Sequence, residues 1–343
     1  MSSDALLKIS GTSLTFRGRG GAKGQDGVGV KALDDVSLDV GRGEIVGLVG
    51  ESGSGKTTLA RSVVRLVQPD SGTITFDNAD VLSMKGAELR QFRRRVHLIY
   101  QDPYQSLNPR MTIGDIVAEP AKVYHLVPPG TTLRAYVGGL FESVGLSDNI
   151  WGRYPRQLSG GQRQRVAIAR AFATSPEMLL ADEVVSALDV SVQAQILNLL
   201  QRLCSESHVP MLFISHQLAV VAHLSDRVAV MYRGRIVELA PTATIFTNAQ
   251  HPYTRRILAA HPLPSDTPQV HASIPAPTPM TADFVPGKGC RYRRDCPVAM
   301  PQCDVSEPAL SEADPGHFVA CYAATATKVP SQPHPSVTDR QGG

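Results

Sequence analysis

The segment from Ile45 to Leu59 limits what this chain can fold into more than any other part of its sequence. It fits the phosphate-binding pattern G-x-x-x-x-G-K-[ST], whose fixed positions are Gly50, Gly55, Lys56 and Thr57. The apolar run before the pattern predicts a buried β-strand, and the residues after it predict an α-helix from Thr57 to about Leu66. A strand, a glycine-rich turn and a helix in this order direct backbone N–H groups toward a bound anion.

The chemistry of this segment predicts a nucleoside triphosphate as its ligand. The partial positive charge of the helix N-terminus adds to the N–H groups of the turn. Lys56 can reach the β- and γ-phosphates, and the Thr57 hydroxyl can ligate Mg²⁺. The expected nucleotide contacts are Gly50, Glu51, Ser52, Gly53, Ser54, Gly55, Lys56, Thr57 and Thr58. The alternative is a glycine-rich turn that happens to precede a lysine, and it leaves the matching strand and helix unexplained.

The composition indicates an ordinary globular protein. The 343 residues are 42% apolar and 19% charged, which suffices for two domains or for one domain with an appendage. A net charge of +3 does not favour a general nucleic-acid surface. Because there is neither an apolar run of about 18 residues nor a signal-peptide pattern, we expect a cytosolic location. The five cysteines are then not expected to form structural disulfides.

Strands alternate with helices along most of the chain, which predicts an α/β fold of the P-loop NTPase type with a parallel sheet between helical layers. Two N-terminal strands, Leu6–Phe16 and Lys31–Val40, predict an antiparallel β subdomain, joined by a mobile glycine-rich loop at residues 17–29. Residues 102–173 are mostly of helical type, interrupted at Pro120, at the turn 128–130 and at Pro155. They predict an inserted helical subdomain.

The composition changes after residue 260. Recurrent prolines predict an extended linker, followed by a cysteine-bearing segment, and the last residues are typical of a disordered tail. The chain is therefore predicted to consist of a nucleotide-binding domain at 1–260, a linker and C-terminal extension at 261–323, and a tail at 324–343.

A second acidic element is predicted at the end of the apolar strand Met178–Ala181. Asp182 and Glu183 follow it, and the carboxyl ends of parallel strands are where ligands of such sheets bind. Asp182 is placed to bind Mg²⁺, and Glu183 to act as general base for the attacking water. Taken alone, such a pair is as often a helix cap or a solvated edge as a functional site.

The segment Leu158-Ser-Gly-Gly-Gln162 resembles the signature sequence of ABC-type ATPases. The resemblance implies an ABC nucleotide-binding domain, in which Ser159, Gly160, Gly161 and Gln162 contact the γ-phosphate of ATP bound to the opposing subunit. Two such domains would then enclose two ATP molecules. A helix N-terminus with a hydroxyl and free N–H groups suits that contact.

Other elements of the ABC family follow in order. By resemblance, Gln101 is the glutamine that senses Mg²⁺ and water and links to a membrane partner, and Ser186–Asp189 is the loop that crosses the dimer interface. Asp189 would contact ATP there. His216, which follows the predicted strand Met211–Ser215, resembles the histidine that contacts the γ-phosphate. Phe16 is the candidate for stacking on adenine, although the glycine-rich insertion gives it an unusual spacing to the phosphate-binding motif.

Three further stretches resemble the ATPases of dipeptide and oligopeptide importers: Tyr100–Asp115, Ser186–Leu197 and His251–Arg255. This resemblance implies an ATP-hydrolysing subunit at the cytoplasmic face of the membrane that energises peptide import. Its expected partners are two transmembrane permease subunits, a second peptide-type ATPase or a second copy, and indirectly a solute-binding protein, but no nucleic acid. Two residues depart from the family pattern, Val184 in place of Pro and Gln217 in place of Asp.

Four cysteines lie in the C-terminal extension, Cys290, Cys296, Cys303 and Cys321. Four thiolates in a reducing compartment can hold Zn²⁺ or an iron–sulfur cluster, and the missing C-x₂-C pair favours the cluster. The stretch Gly289–Pro297 resembles the motif with which peptide-importer ATPases bind a [4Fe–4S] cluster. The alternative is four unligated thiols. Cys204, on a predicted helix, is interpreted as a small core residue.

Other functions fit the sequence less well. Importers of nickel or other small solutes use very similar ATPases, so the cargo stays open. A soluble ABC ATPase that acts on DNA or ribosomes usually has two cassettes or a coiled-coil insertion, and this chain has neither pattern. A phosphate-loop kinase or GTPase has no place for the Leu158–Gln162 segment.

Overall fold

Two β-sheets and the helices around them form the fold. The computed structural model describes residues 5–17, 29–102, 106–260 and 288–326. Most of the predicted glycine-rich loop, the proline-rich linker and nearly all of the predicted tail lie outside the described residues. The strands are β1 (Ala5–Phe16), β2 (Val30–Gly41), β3 (Ile45–Val49), β4 (Ser71–Phe76), β5 (Ala79–Asp80), β6 (Val96–Ile99), β7 (Met178–Asp182), β8 (Met211–Ser215), β9 (Arg227–Tyr232), β10 (Arg235–Pro241), β11 (Ser311–Asp314) and β12 (His317–Val319).

The helices connect and cover these strands. They are α1 (Lys56–Val63), α2 (Gly86–Arg95), α3 (Ile113–Tyr124), α4 (Leu133–Ser143), α5 (Gly160–Phe172), α6 (Val190–Ser207), α7 (Leu218–Leu224), α8 (Thr242–Asn248), α9 (Pro252–Ala260), α10 (Gln302–Val305) and α11 (Tyr322–Ala326). Two short 3₁₀ turns lie at Asp148–Ile150 and Pro155–Gln157. Within the described ranges, no helix is long and apolar enough to cross a membrane.

The larger sheet has the strand order β11-β12-β10-β9-β3-β8-β7-β6. The strands from β9 to β6 run parallel, and β10, β12 and β11 add antiparallel pairs at one side. Every residue of β7 and β8 is buried, because both faces of the parallel part are covered. Leu212 and Ile214 of β8 pack in one core, and Met211 and Phe213 pack in the other. This alternation is the two-residue period of a strand.

The smaller sheet, β2-β1-β4-β5, is antiparallel as predicted. Its apolar residues share a core with α1 and with one face of the larger sheet. The core on the opposite face contains the apolar residues of α3, α5 and α6. The larger sheet is therefore the middle layer of the fold, and its strand ends emerge between the two outer layers.

Pro120 does not interrupt its helix, contrary to our expectation. It lies inside α3, and the neighbouring Val117, Ala118 and Ala121 are fully buried. A proline removes one backbone hydrogen bond from a helix. The burial of this apolar face offsets that loss, and Thr112 caps the helix by accepting a hydrogen bond from the Asp115 N–H at 3.3 Å.

The described part of the C-terminal extension completes the larger sheet. β12 pairs with β10 through Glu238 with Val319 and Leu239 with Phe318, and β11 pairs with β12. The extension is therefore packed on the nucleotide-binding fold. Helix α11 covers residues 322–326, so the first three residues of the predicted tail, 324–326, are helical.

Candidate active site

The predicted catalytic residues follow four neighbouring strands at one edge of the larger sheet. The phosphate-binding loop, residues 50–57, follows β3, and His216 follows β8 directly. Asp182 ends β7, and Gln101 comes two residues after β6. Because β3, β8, β7 and β6 are adjacent and parallel, their carboxyl ends bring these residues to one place.

Two glycines allow the phosphate-binding loop to pack against the strands around it. Gly50 has φ 156° and Gly55 has φ 108°, in a region that favours glycine. A Cβ atom on Gly50 would lie 2.1 Å from the carbonyl oxygen of Met231, and one on Gly55 would lie 2.4 Å from that of Ala32. Neither backbone oxygen can move away easily, so both positions require glycine.

Lys56 lies buried at the centre of the loop. Its Nζ donates hydrogen bonds to the carbonyl oxygens of Gly50 at 2.7 Å and Glu51 at 2.9 Å. Burial lowers the pKa of the ammonium group, and the carboxylates of Glu183 and Asp182 oppose that shift. The lysine therefore presents a positive charge between the loop and the acidic pair.

The N-terminus of α1 is free to bind an anion. Its first residue follows Gly55, which has no side chain to cap the helix, and the first turn contains no acidic residue. The N–H groups of this turn and the helix dipole can therefore act on a ligand rather than on a capping side chain.

Thr57 and Asp182 form an oxygen-rich pair beside the loop. The Thr57 hydroxyl donates to Asp182 Oδ1 at 3.1 Å. The pKa of Asp182 is raised from its ordinary value because the carboxyl group is buried, and the hydrogen bond from Thr57 opposes part of that rise. Among the described residues, no group of three or more His, Cys, Asp or Glu side chains is arranged for a metal. One carboxylate and one hydroxyl still fit Mg²⁺, which takes few protein ligands and completes its shell with phosphate oxygens and water.

Glu183 is held from both sides. Gln101 Nε2 donates to its Oε2 at 2.9 Å, and His216 Nδ1 lies 3.4 Å from its Oε1. The backbone of Glu183 has φ 47°, a strained conformation for a non-glycine residue, and its N–H bonds to the carbonyl oxygen of Ile214 at 2.9 Å. The fold therefore fixes the Glu183 carboxylate next to Asp182, the last residue of β7.

The predicted signature segment starts α5 in the helical layer. Ser159 and Gln162 form a capping box: Ser159 Oγ accepts from the Gln162 N–H at 3.3 Å, and Gln162 Oε1 accepts from the Ser159 N–H at 3.1 Å. Gly161 packs so closely on Val192 that a Cβ would lie 2.6 Å from its Cγ1. The segment thus contacts the start of α6, before which Asp189 lies exposed.

Phe16 ends β1 and is 47% exposed. It pairs with Val30 on β2, the strand that brings the carbonyl oxygen of Ala32 against Gly55. The ring is accessible and lies on a strand pair that contacts the phosphate-binding loop. Stacking of Phe16 on adenine stays a prediction.

The two departures from the family pattern have different surroundings. Val184 is buried with 2% of its surface exposed, directly after the strained Glu183. Gln217 occupies the N-cap position of α7 without a side-chain hydrogen bond to the helix. An aspartate there would be among the better N-caps, so this chain has a weaker start to the helix that follows His216.

The late cysteines lie in one region: Cys290 and Cys303 share a core, with the Cys290 N–H donating to the Cys303 carbonyl oxygen at 2.7 Å, and Cys296 packs against that core. Burial raises the pKa of Cys290 to about 11 and shifts Cys296 and Cys321 in the same direction. The described residues nevertheless contain no ready-made metal group, so the iron–sulfur cluster stays a prediction. Cys204 is a buried core residue as predicted.

One contact to the loop was not anticipated from the sequence. Glu51 bonds to Tyr253 and Arg256, which lie on α9 about 200 residues later. In the sequence, the stretch His251–Arg255 stands out only by its resemblance to the ATPases of peptide importers. Its spacing gives no sign of contact with the loop, because that contact depends on the tertiary fold.

Two family models match the chain: ABC transporter over residues 33–186, and oligopeptide/dipeptide transporter, C-terminal region, over residues 237–303. A putative peptide import ATP-binding protein of Brucella ovis is 45% identical and covers 94% of this chain and 98% of its own length. The oligopeptide transport ATP-binding protein OppF of Salmonella typhimurium is 44% identical and covers 85% of this chain and 87% of its own length.

A solved structure is similar as well. The ATP-binding cassette MJ0796, a dimer in a post-hydrolysis state bound to ADP and Pi, has a TM-score of 0.61 at 28% identity, and the match covers 69% of this chain and 98% of that chain. The resemblance found in the sequence is thus confirmed. With relatives this similar over nearly its full length, the chain belongs to the ABC transporter family and is an ATP-hydrolysing subunit with the C-terminal region of oligopeptide/dipeptide transporters.

Proposed function

We propose that this subunit energises the import of peptides across a membrane by binding and hydrolysing ATP. The observation that carries the proposal is the junction of the phosphate-binding loop, the Thr57–Asp182 pair and the fixed Glu183 at one sheet edge. The names of the similar relatives, which are peptide and oligopeptide import ATP-binding proteins, support peptides as the cargo.

In the proposed reaction, residues of one chain bind the triphosphate and orient the attacking water. The loop N–H groups and Lys56 hold the phosphates, and Thr57 and Asp182 would hold Mg²⁺, which supplies charge for the transferred phosphoryl group. Glu183 accepts the proton of the attacking water as general base. Gln101 and His216, both in contact with Glu183, orient its carboxylate.

A second subunit would complete each ATP site. Ser159 to Gln162 start a helix whose N–H groups suit a γ-phosphate, and this segment packs on the same region as Asp189. Their location beside one another supports a shared dimer face. The second subunit is proposed to be a related, non-identical ATPase, with a second copy of this chain as the alternative that purification distinguishes.

A groove next to Gln101 is the proposed contact for a permease. It has a volume of about 370 Å³ and lies between β6, α3 and α5. His97 lines it, and burial followed by the charge of Arg170 lowers the pKa of His97 to about 4, so the ring is neutral near pH 7. A cytoplasmic helix of a permease bound in this groove would contact Tyr100, which lines it. The next residue, Gln101, donates a hydrogen bond to Glu183, so a movement of the helix would reach that carboxylate.

The cysteine segment is proposed to hold a [4Fe–4S] cluster with a structural role. The Cys290 N–H donates to the carbonyl oxygen of Cys303 at 2.7 Å, both residues are buried, and Cys296 packs against the same core. This proximity supports the assignment. Cluster binding would release the thiol protons. Iron content and visible absorbance should be lost in Cys296→Ser and kept in the matched control Cys204→Ala. Equal iron in both variants would contradict the cluster.

The variant Glu183→Gln tests the transport proposal. It should bind ATP, hydrolyse it very slowly and keep two ATPase subunits together. Expressed with a tag and purified from solubilised membranes with ATP present, it should bring down two multi-span permeases and a second peptide-type ATPase. Recovery with ribosomes or DNA instead would contradict transport and leave only the ATPase assignment.

A further inference from the structure

Glu51, the second residue of the phosphate-binding loop, is bound at three points. Its N–H donates to the Tyr253 hydroxyl oxygen at 3.0 Å, and its carbonyl oxygen accepts from Lys56 Nζ at 2.9 Å. Its carboxylate Oε1 lies 2.7 Å from Arg256 Nη2. The Ser54 N–H also donates to this carbonyl oxygen, at 3.2 Å. Lys56 and Ser54 belong to the loop, whereas Tyr253 and Arg256 come from α9, which lies far away along the chain.

The start of α9 is itself fixed by buried polar groups. Glu238, with no exposed surface, accepts hydrogen bonds from the N–H groups of Gln250 at 2.7 Å and His251 at 3.1 Å. His251 Nδ1 accepts from the Tyr253 N–H at 3.1 Å. His317 of β12 contacts Glu238 Oε1 at 2.7 Å, so a strand of the C-terminal extension helps to hold the helix start.

Aromatic packing fixes the side chains that reach the loop. Tyr253 is fully buried, with its ring centre 4.5 Å from that of Tyr232 and 5.7 Å from that of Tyr292. The Arg256 guanidinium lies over the rings of both Tyr253 and Tyr292, at 5.4 Å from each. The Tyr292 hydroxyl has no hydrogen-bond partner among the residues that the structure describes. Tyr292 therefore contributes its ring, and Tyr253 contributes its hydroxyl.

We propose that Tyr253 and Arg256 are positioning residues for ATP binding: they hold Glu51 so that the loop keeps the shape that receives the phosphates. Gly50, which precedes Glu51, has φ 156° and no room for another side chain. A peptide in such a conformation is maintained by its surroundings. Without Tyr253 and Arg256, Glu51 would keep only contacts from within the loop, since its carbonyl oxygen accepts from Lys56 Nζ at 2.9 Å and from the Ser54 N–H at 3.2 Å. Both of these act on the carbonyl oxygen and leave the N–H and the carboxylate of Glu51 unheld.

This inference rests on ATP binding by the phosphate-binding loop and is independent of the peptide cargo and of the iron–sulfur cluster. Tyr253→Phe removes the one oxygen that accepts the Glu51 N–H and keeps the ring. A neutral hydrogen bond of this kind corresponds to about a three- to tenfold change in an equilibrium constant. The dissociation constant of ATP should rise by about that factor, with kcat changed less than KM.

Tyr292→Phe is the matched control, because it deletes a buried hydroxyl from the adjacent ring without removing a contact to the loop. The full-length chain would be used, with ATP and Mg²⁺ in an equilibrium binding assay and amide hydrogen exchange at residues 50–57. Of these two tyrosine variants, only Tyr253→Phe should weaken ATP binding and speed exchange of the Glu51 amide. Arg256→Gln should weaken ATP binding by up to about fivefold, and Arg256→Lys should recover most of it.

Two results would overturn the inference. One is an ATP dissociation constant for Tyr253→Phe within about twofold of the wild type, since this is less than the change expected from the hydrogen bond. The other is an equal loss in Tyr253→Phe and Tyr292→Phe, which would assign the effect to packing. The Glu183→Gln variant distinguishes the inference from the ATPase assignment, because it should bind ATP normally whatever the role of Tyr253.

Discussion

Replacing Arg291 by methionine should loosen the C-terminal extension from the rest of the fold. Only 2% of the Arg291 side chain is exposed. Its guanidinium donates to Glu307 Oε1 at 2.5 Å and Oε2 at 2.8 Å, to Asp34 Oδ2 at 2.6 Å, and to the carbonyl oxygen of Arg233. Since Asp34 lies on β2, this one side chain joins the extension to the N-terminal sheet.

The magnitude follows from the burial of the partners. Removing one member of a fully buried ion pair costs about 3–5 kcal/mol, because the other member is left without a partner. Here Glu307 and Asp34 keep 13% and 14% of their side chains exposed, so water can solvate them in part. We therefore expect a loss of about 2–4 kcal/mol. Methionine retains most of the apolar stem, which limits the loss of packing.

Native-state hydrogen exchange at β12 and urea denaturation would measure this loss. Arg293→Met is the matched control: Arg293 lies two residues later, and its pair with Asp304 at 3.0 Å is largely exposed, with 27% and 74% of the two side chains accessible. That control should cost at most about 1 kcal/mol. A similar cost for both variants, or less than about 1 kcal/mol for Arg291→Met, would refute the reasoning from burial.

The bridge also has a pH dependence with a defined sign. Burial would raise the pKa of Asp34, but hydrogen bonds from Lys31 and Arg291 outweigh it, and the pKa is lowered from its ordinary value of 3.8. A lowered carboxyl pKa stabilises the fold above the unfolded value and loses that contribution as the pH falls through the folded value. The contribution of Asp34 and Arg291 to this attachment should therefore be insensitive to pH near neutrality and be lost only below about pH 4.

Three further predictions test other positions. Gly50→Ala should abolish ATP binding and cost about 2 kcal/mol or more, because its Cβ would meet the Met231 carbonyl oxygen, whereas Gly53→Ala, with open space around it, should cost only about 1 kcal/mol in the same denaturation assay. Gln217→Asp should stabilise α7 by about 1 kcal/mol as a new N-cap, measured by exchange of residues 218–224, and Gln217→Ala should have no such effect. Burial lowers the pKa of His251 to about 4, against the partial opposition of Glu238, so the unfolded chain binds a proton between pH 6.5 and 4 that the folded chain does not. As the pH falls through that window, the free energy of unfolding should decrease by about 1.4 kcal/mol per pH unit. If His251→Asn showed the same dependence of unfolding free energy on pH, this prediction would be contradicted.

The local parts of the site could be predicted from the sequence. Each candidate catalytic group lies at or just after the end of an apolar strand: the phosphate-binding loop, Asp182, Glu183, Gln101 and His216. An apolar strand followed by glycine or acidic residues can be recognised within a few positions of sequence. Parallel strands place their carboxyl ends together whatever the details of packing. The roles of Gln101 and His216 were assigned by resemblance to the ABC family, and the contacts of both residues with Glu183 were not predicted.

Other features could not be predicted, for physical reasons that differ. Pro120 was expected to end a helix because its ring removes a hydrogen bond, but burial of the surrounding face compensates locally. The pairing of β12 with β10 was missed because β12 has only three residues and the paired residues are separated by some 80 positions in the chain. A short strand at the side of a sheet has little periodicity to read.

The sequence by itself predicted a nucleoside-triphosphate site at the loop between β3 and α1, because a phosphate-binding turn is specified by residues next to one another. Only the tertiary structure decided what supports that loop. Glu51 depends on Tyr253 and Arg256, and these depend on Tyr292 and His317 from the C-terminal extension. Contacts between residues so far apart leave no periodic pattern along the chain, since they follow from which faces the packed layers bring together.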